Sequence, residues 1–563
     1  MRRAVIASLF TAAMFLDGCG RARDVDPFAD GTDAAGLRFV HVAGAHGDYL
    51  LPEIIGPGVG LLDYDGDGRL DVLLVQGGEL GARTDDAPGH RLFRNDTQVG
   101  GVLHFTDVTS AAGLEASGYG MGVATGDIDG DADTDLYITQ VGHNALWRND
   151  GGRFVYVTDM ADVADSGWST SASFCDYDHD GDLDLYVAHY VEFSPATNRV
   201  CTGTTGHRDY CSPEVYPPER DHLFRNEGDG RFADVSAESG IATRTAAGLG
   251  VVCADLDGDG WPDFYVANDR SANFFWRNLG DGRFEEQGSM RGAAYDGGGK
   301  AEASMGIAAG DFDADGDEDL FVTTYDPETN TLRVNDGSGY FLDLTDRYAL
   351  GFPSLSYTGW GTEWLDVDND AALDLFVADG AIVEVESQRG HSARPYEQRN
   401  QLYLRAADGR FTLAPARGVL ASVANSRGAA FGDLDDDGDV DILVASNDGP
   451  IRVLENRWRG SQHWLGVSLR ATSPNRQALG ALVSVERAGM PSVTRRVHTD
   501  GSYLSASDPR AHFGLGGSDG VDSVRVAWPD GRIERWRTLG VDRYHELREG
   551  EGEPEHPPRP NAP

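Results

Sequence analysis

The sequence predicts an all-β protein, a seven-bladed β-propeller followed by a small all-β C-terminal domain. Three observations predict it. The nine-residue pattern Asp-x-Asp-x-Asp-(Gly/Ala)-x-x-Asp occurs seven times, at starts spaced 49 to 79 residues apart. Short runs rich in β-branched and aromatic residues flank each copy, such as Met121-Gly122-Val123-Ala124 before one and Leu136-Tyr137-Ile138-Thr139 after it. Two further strand-like runs then follow before the next copy, so each repeat has the four strands of a propeller blade.

The aspartate pattern comes first in the argument. Positions 1, 3, 5 and 9 are Asp in every copy: Asp63, Asp65, Asp67 and Asp71; Asp127, Asp129, Asp131 and Asp135; Asp176, Asp178, Asp180 and Asp184; Asp255, Asp257, Asp259 and Asp263; Asp311, Asp313, Asp315 and Asp319; Asp366, Asp368, Asp370 and Asp374; Asp433, Asp435, Asp437 and Asp441. Four carboxylates within nine residues repel one another unless a hard cation sits among them. Ca²⁺ takes six to eight oxygens in flexible geometry, and the position-7 carbonyl would join the side chains. Those carbonyls belong to Arg69, Asp133, Asp182, Trp261, Asp317, Ala372 and Asp439. Mg²⁺ demands a tighter octahedron, and zinc prefers His or Cys ligands. The expected cofactor is therefore Ca²⁺, up to seven ions. Position 6 is Gly in five copies and Ala at Ala132 and Ala371, which suits a sharp turn. An EF-hand is excluded, because a strand rather than a helix follows and position 12 of the first loop is Leu74.

The blade follows from the rest of the repeat. A third strand reads Ala145-Leu146-Trp147-Arg148-Asn149 or Phe274-Phe275-Trp276-Arg277-Asn278. A Gly/Asp turn leads into a fourth, as at Arg153-Phe154-Val155. Fourth strands are expected near Phe105, Phe154, Phe232, Phe284, Phe341 and Phe411, and none follows the seventh loop. The run Leu37-Arg38-Phe39-Val40-His41-Val42 is expected to complete the seventh blade and so remove an exposed sheet edge. The propeller is expected over residues 37–460.

From Ser461 the acidic loops stop. Alternating runs such as Ala481-Leu482-Val483-Ser484-Val485 and Val524-Arg525-Val526-Ala527-Trp528 predict a small β domain over residues 461–548. His512 lies in one such run, as a packed strand histidine or a ligand. The Glu- and Pro-rich stretch 549–563 reads as a disordered tail.

The aspartate loops and the Gly-Arg-Phe turns resemble the FG-GAP/VCBS repeats of integrin α-chain propellers. The segments Leu479-Gly480-Ala481, His512-Phe513-Gly514-Leu515-Gly516 and Trp528-Pro529-Asp530-Gly531 resemble the ASPIC/UnbV domain. Over residues 37–548 the chain is similar to the bacterial branch of the cartilage acidic protein family.

The termini and cysteines bear on location. Arg2 and Arg3 precede an apolar run from Ala4 to Leu16, so residues 1–18 read as an export signal. Leu16-Asp17-Gly18-Cys19 resembles a lipoprotein signal in which Cys19 is lipidated; ordinary cleavage nearby is the alternative. Residues 19–36 are then a lipidated or flexible linker. Cys201 and Cys211 are expected to pair in an oxidising compartment, and Cys175 and Cys253 to be small buried hydrophobes.

Function is bounded rather than identified. A formal charge of −45 argues against nucleic-acid binding. The only lysine, Lys300, follows Gly297-Gly298-Gly299 without the Ser/Thr of a phosphate loop. Aspartate loops and Gly-Arg-Phe turns fall on one face of an up-and-down blade, and the long connections on the other. The first face is expected to be structural. The second carries the candidate binding residues His189, Tyr190, Asn268, Asp269, Arg270, Tyr325, Asp379, His391, Asn447 and Asp448. The expectation is an exported monomeric scaffold that recognises an extracellular protein or carbohydrate and meets a membrane only through Cys19. The alternative is an enzyme acting at the loop face or the central channel, although no catalytic signature is present.

Overall fold

A computed structural model describes residues 27–80, 88–115, 118–203, 206–383, 396–458 and 460–555. The segment 1–18 expected to be an export signal, Cys19, His391 and residues 556–563 lie outside the described residues. Among the described residues, seven four-stranded antiparallel sheets form the blades. Their first strands are Val59–Leu62, Tyr119–Gly126, Ser169–Cys175, Gly248–Ala254, Ile307–Gly310, Gly359–Leu365 and Ser426–Gly432. Each packs against the next, and Ser426–Gly432 packs against Val59–Leu62. These inner strands are buried almost throughout rather than alternating. They face neighbouring blades on both sides, so no face remains for water. The fourth strands are short, with a buried Phe followed by more exposed residues, as in Phe105–Asp107 and Phe154–Tyr156.

The seventh blade is completed from the N-terminus, but not by Leu37–Val42. Phe28–Asp30 pairs with Arg452–Asn456, with Phe28 opposite Asn456 and Asp30 opposite Leu454. This strand lies within the stretch 19–36 that was expected to be a linker. The physical reason is a side-chain pattern. In Phe105-Thr106-Asp107-Val108-Thr109 the Thr109 hydroxyl accepts the Leu92 N–H of the third strand at 3.0 Å. Ser236 does the same for Leu223 at 3.0 Å and Thr345 for Leu332 at 2.8 Å. Phe28-Ala29-Asp30-Gly31-Thr32 repeats the pattern, and Thr32 accepts from Val453 at 2.9 Å. Leu37–Val42 lacks both the Asp and the hydroxyl. It runs past the blade instead, with Val40 bridging Pro450 and the His41 N–H bonded to Gly449 O at 2.8 Å.

The C-terminal domain has two sheets. Ala511–Gly516, His463–Arg470 and Tyr544–Arg548 form one, with the last pair parallel. The other orders Val493–Arg496, Leu482–Glu486, Ser523–Ala527, Ile533–Arg537 and Glu553–Glu555. Glu553–Glu555 thus extends the domain into what was expected to be a disordered tail. Its register places Arg535, which forms ion pairs with Glu486 and Glu555, against Glu553.

Cys201 and Cys211 are bonded, with Cα atoms 5.2 Å apart. Cys175 and Cys253, expected to be unbonded core residues, are buried but also bonded to each other, linking the inner strands of blades 3 and 4. Sequence separation hid this pair: 78 residues divide them, and only the side-by-side packing of first strands brings them together.

Candidate metal centres and the two faces of the ring

Each aspartate loop is held by its own backbone. Both oxygens of Asp63 accept N–H bonds, from Asp67 at 3.0 Å and Gly68 at 2.9 Å. Asp255, Asp366 and Asp433 repeat this with Asp259 and Gly260, Asp370 and Ala371, and Asp437 and Gly438. The turn at position 6 is left-handed, with φ of 87° at Gly68 and 90° at Gly438. Ala132 and Ala371 take the same conformation at 80° and 77°, which is strained for a residue with a Cβ.

Position 9 is buried in every loop, at 4% exposure or less. Asp71 accepts the Tyr64 N–H at 2.9 Å and the Asn95 N–H at 2.7 Å, which joins its loop to the third strand. Positions 1, 3 and 9 converge in the first three loops, as Asp63, Asp65 and Asp71; Asp127, Asp129 and Asp135; and Asp176, Asp178 and Asp184. In each group one carboxylate oxygen per residue lies within 4.8 Å of the others. In the fourth loop the converging set is Asp255, Asp257 and Asp259, and Arg277 and Arg291 both pair with Asp257, at 2.6 and 2.9 Å.

Burial strains the charge balance of these groups. Desolvation pushes Asp71 and Asp263 up to about 8 and Asp319 to about 9. Asp127 and Asp176 rise to about 7 for the same reason, with the neighbouring loop carboxylates adding to it. Several buried loop oxygens, including Asp129 Oδ1, Asp176 Oδ1, Asp263 Oδ2, Asp313 Oδ1 and Asp319 Oδ2, have no hydrogen-bond partner. Orphaned, convergent carboxylate oxygens fit an oxygen-seeking cation.

The loops are also tied around the ring. Asn95, at the end of a third strand, donates to Leu70 O of its own loop at 3.0 Å and to Leu434 O of blade 7 at 2.8 Å. Asn149, Asn226, Asn278, Asn335 and Asn456 reach the corresponding carbonyls of the preceding blade, at Tyr64, Ile128, Tyr177, Leu256 and Val367. In blade 6 the Arg405 guanidinium takes this role toward Phe312 O. Every loop is thereby clasped by its neighbour, and the Asn95–Leu434 contact joins the first blade to the last.

The C-terminal domain sits on this aspartate face. Asn475 N–H donates to Gly181 O at 2.9 Å, and Arg476 reaches Gly130 O at 3.1 Å. Arg496 pairs with Glu318 at 3.0 Å, Gly516 N–H bonds Asn369 O at 2.8 Å, and Arg510 pairs with Asp436 at 2.7 Å. His512, raised above as a possible ligand, is a packed residue: its Nε2 meets Gly438 O at 2.9 Å, and burial lowers it to about 4. A Cβ on Gly438 would lie 2.0 Å from the Trp464 ring.

The same domain fills the axis of the ring. Residues 499–508 touch the inner strand of every blade. Val59 N–H bonds Ser505 Oγ at 3.2 Å, Val123 N–H bonds Leu504 O at 3.1 Å, and Leu504 N–H bonds Ser171 Oγ at 3.1 Å. Cys253 N–H bonds Asp500 Oδ2 at 2.7 Å, Ile307 and Ser502 exchange backbone bonds, and Ser502 Oγ donates to Ala429 O at 2.7 Å. Thr362 N–H also reaches Ser502 Oγ, at 3.2 Å. A Cβ on Gly58 would lie 1.8 Å from Leu504 O. Tyr503 reaches through to Ile55 O at 3.1 Å, beside Trp360. The central channel, expected as one place for an active site, is therefore occupied by the chain itself. A cavity of about 820 Å³ remains between ring and domain, lined in part by Glu363, Arg495, His498 and Asp500.

The opposite face carries the long connections, and most of its singled-out residues have local jobs. Tyr190 is buried and donates to Asp269 at 2.6 Å. Asn268 bonds Ala272 O, and Asn447 bonds Glu53 O, each at 2.8 Å. Asp379 is buried, its two oxygens find no partner among the described residues, and desolvation raises it. Arg270 is exposed over the Tyr325 ring at 4.9 Å, and Asp448 is an exposed turn residue. Lys300 pairs with Glu328 at 2.5 Å on the surface. Sequence reading missed a half-buried aromatic group. Tyr49 and Tyr210 meet edge-on at 5.2 Å, Tyr210 and Tyr396 at 6.1 Å, and exposed Arg208 lies 5.3 Å from the Tyr49 ring. The signal available was tyrosines at the edges of the disulfide loop and of the connection in blade 6.

Comparison with known proteins agrees with this layout. The FG-GAP-like repeat matches residues 63–138, 128–187, 205–266, 255–322, 311–377 and 392–444. The ASPIC and UnbV description matches residues 471–554. Cartilage acidic protein 1 of Xenopus tropicalis is 26% identical over 310 residues, 54% of this chain and 44% of that protein. The Homo sapiens protein of the same name is 26% identical over 322 residues, 56% of this chain and 45% of that one. The match spans less than half the length of these relatives. Among solved structures, the BP39L lectin from Burkholderia pseudomallei is similar with a TM-score of 0.41 at 11% identity, covering 72% of this chain and 98% of that chain.

Proposed function

The chain belongs to the cartilage acidic protein-like family, FG-GAP repeats followed by a C-terminal ASPIC/UnbV domain, and from that premise we propose an exported recognition scaffold stabilised by calcium. In this reading Ca²⁺ occupies the aspartate loops and stiffens one face of the ring. The orphaned loop oxygens and their raised carboxyls support it. Two disulfides suit an oxidising compartment, and hence export.

One observation carries the choice of binding face. The aspartate face is covered by the C-terminal domain and the axis is filled by residues 499–508, which leaves the opposite face for a ligand. There Tyr49, Tyr210 and Tyr396 with Arg208 offer half-buried rings and a cation, a surface on which a sugar or a peptide side chain stacks. Glycan-array and pull-down experiments with the calcium-loaded chain test this. Binding should be lost in Tyr49→Ala/Tyr210→Ala; binding that survives the double substitution refutes this face as the site.

A second reading, catalysis, rests on the cavity between ring and domain. Glu363 lines it with Oε2 unpartnered, and desolvation raises it to about 7, within reach of acid–base duty at neutral pH. Glu363→Gln abolishing turnover of a polysaccharide or natural-product substrate would favour that reading.

A further inference from the structure

Outside the aspartate loops, one cluster has a different chemistry. Asp165 lies in the connection from blade 2 to blade 3, His189 ends the second strand of blade 3, Asp184–His189, and His222 begins its third, His222–Asn226. Three separate segments thus bring one carboxylate and two imidazoles together on the face opposite the aspartate loops. Asp165 Oδ2 lies 2.9 Å from His189 Nε2 and 3.2 Å from His222 Nδ1. All three atoms lie within 4.8 Å of one another.

We propose that Asp165, His189 and His222 form a binding site for one transition-metal dication of the zinc class, distinct from the aspartate loops.

Four observations carry it. First, Asp165 is 6% exposed, and among the described residues neither its Oδ2 nor the His222 Nδ1 finds a partner in good hydrogen-bond geometry. Their short contacts therefore lack hydrogen-bonding direction, although the atoms face one another. Second, His189 Nδ1 lies 3.3 Å from Val187 O. A proton held there leaves the Nε2 lone pair aimed at Asp165 Oδ2, which is the usual way a second contact sets the tautomer of a metal-binding histidine. A lone pair facing a carboxylate is repulsive unless a proton or a metal cation lies between them, and the metal titration below separates the two. Third, the spacing fits. Bonds of 2.0–2.1 Å at tetrahedral angles put ligand atoms about 3.3 Å apart, so seating an ion asks the 2.9 and 3.2 Å contacts to open by only a few tenths of an ångström. Fourth, the donor set discriminates between metals. Two imidazole nitrogens and one oxygen suit zinc and its neighbours, whereas Ca²⁺ takes oxygen ligands.

The ligand count leaves a fourth position open. The His222 side chain is 32% exposed while His189 is 2% exposed, so solvent reaches the site past His222. A water or a donor atom from a bound ligand completes such a site. Ser169 Oγ, 3.1 Å from His189 Nε2, is the nearby hydroxyl. Glu219, which accepts the Trp168 N–H at 2.9 Å, and Asp221, which accepts the His189 N–H at 2.9 Å, keep the surroundings anionic.

The test uses the full chain saturated with Ca²⁺, so that the aspartate loops do not compete for added metal. Zn²⁺ is titrated calorimetrically, and Co²⁺ is added separately and followed by its visible absorption. One Zn²⁺ per chain and the intense bands of a four- or five-coordinate Co²⁺ site are expected. Both should disappear in His222→Ala and in Asp165→Asn, with calcium-dependent melting unchanged. Asp165→Asn keeps the side chain's size, so it reports on the metal even if His222→Ala disturbs the fold. No stoichiometric Zn²⁺ uptake, or uptake undiminished in both variants, overturns the proposal.

Discussion

Phe28→Ala tests how the ring is closed. Phe28 is 2% exposed and packs in a cluster with Leu420, Phe431, Ile442, Val444 and Leu454. Truncating a buried Phe costs about 3–5 kcal/mol, because the transfer term and the cavity add. The backbone contacts of the same strand, Gly31 N–H to Val453 O at 3.0 Å and Arg457 N–H to Pro27 O at 2.8 Å, depend on its docking. Phe39, in the run that sequence reasoning favours for closure, is only partly buried, so Phe39→Ala should cost about 1 kcal/mol. Melting curves of the two variants in saturating Ca²⁺ compare the costs. Hydrogen exchange reads the location: Phe28→Ala should deprotect Arg452–Asn456, the strand left at an edge. Equal losses in the two variants, or a larger loss from Phe39→Ala, would refute closure by Phe28–Asp30.

Further predictions concern the loops and the clasps. Chelation should lower the melting temperature, and the gap between calcium and chelator should widen from pH 5 to pH 8. Burial raises Asp71, Asp263 and Asp319 from 3.8 to about 8, 8 and 9. The metal-free fold therefore loses stability as pH rises from about 4 through those values, while Ca²⁺ needs the deprotonated oxygens. A gap that is constant across this range would count against the buried carboxyls as ligands. Ala132→Gly and Ala371→Gly should each raise stability by roughly 1 kcal/mol in melting experiments by relieving a left-handed Ala. Asn278→Leu leaves Tyr177 O and Pro262 O without their donor and should cost about 2–4 kcal/mol, seen as lower urea resistance.

Much of the architecture is local and therefore legible in the chain. The aspartate loops, the strands beside them and the Gly-rich turns are set by neighbours within ten residues, so pattern and turn chemistry identify them. The seven repeats follow from the same motif, and the C-terminal β domain from alternation. Closure was legible too, but by a finer signal than hydrophobicity: Phe-x-Asp-x-Ser/Thr at Phe28 matches the fourth strands at Phe105, Phe232 and Phe341, because the hydroxyl two residues past the Asp binds the adjacent strand. Leu37–Val42 is the more apolar run and lacks that group.

The rest needed tertiary structure, since it depends on residues far apart in sequence that meet only when the ring forms. The Cys175–Cys253 bond joins neighbouring inner strands. Residues 499–508 carry no pattern that marks them for the axis; they belong there because small side chains and free backbone groups satisfy inner strands that would otherwise face an empty channel. Asp165, His189 and His222 are unremarkable singly and form a cluster only where the connection from blade 2 meets the ends of two strands of blade 3. The sequence by itself determined the repeat, its carboxylates and the number of blades. Folding alone decided which face of the ring is covered, what fills its centre and which side chains meet on the face left open.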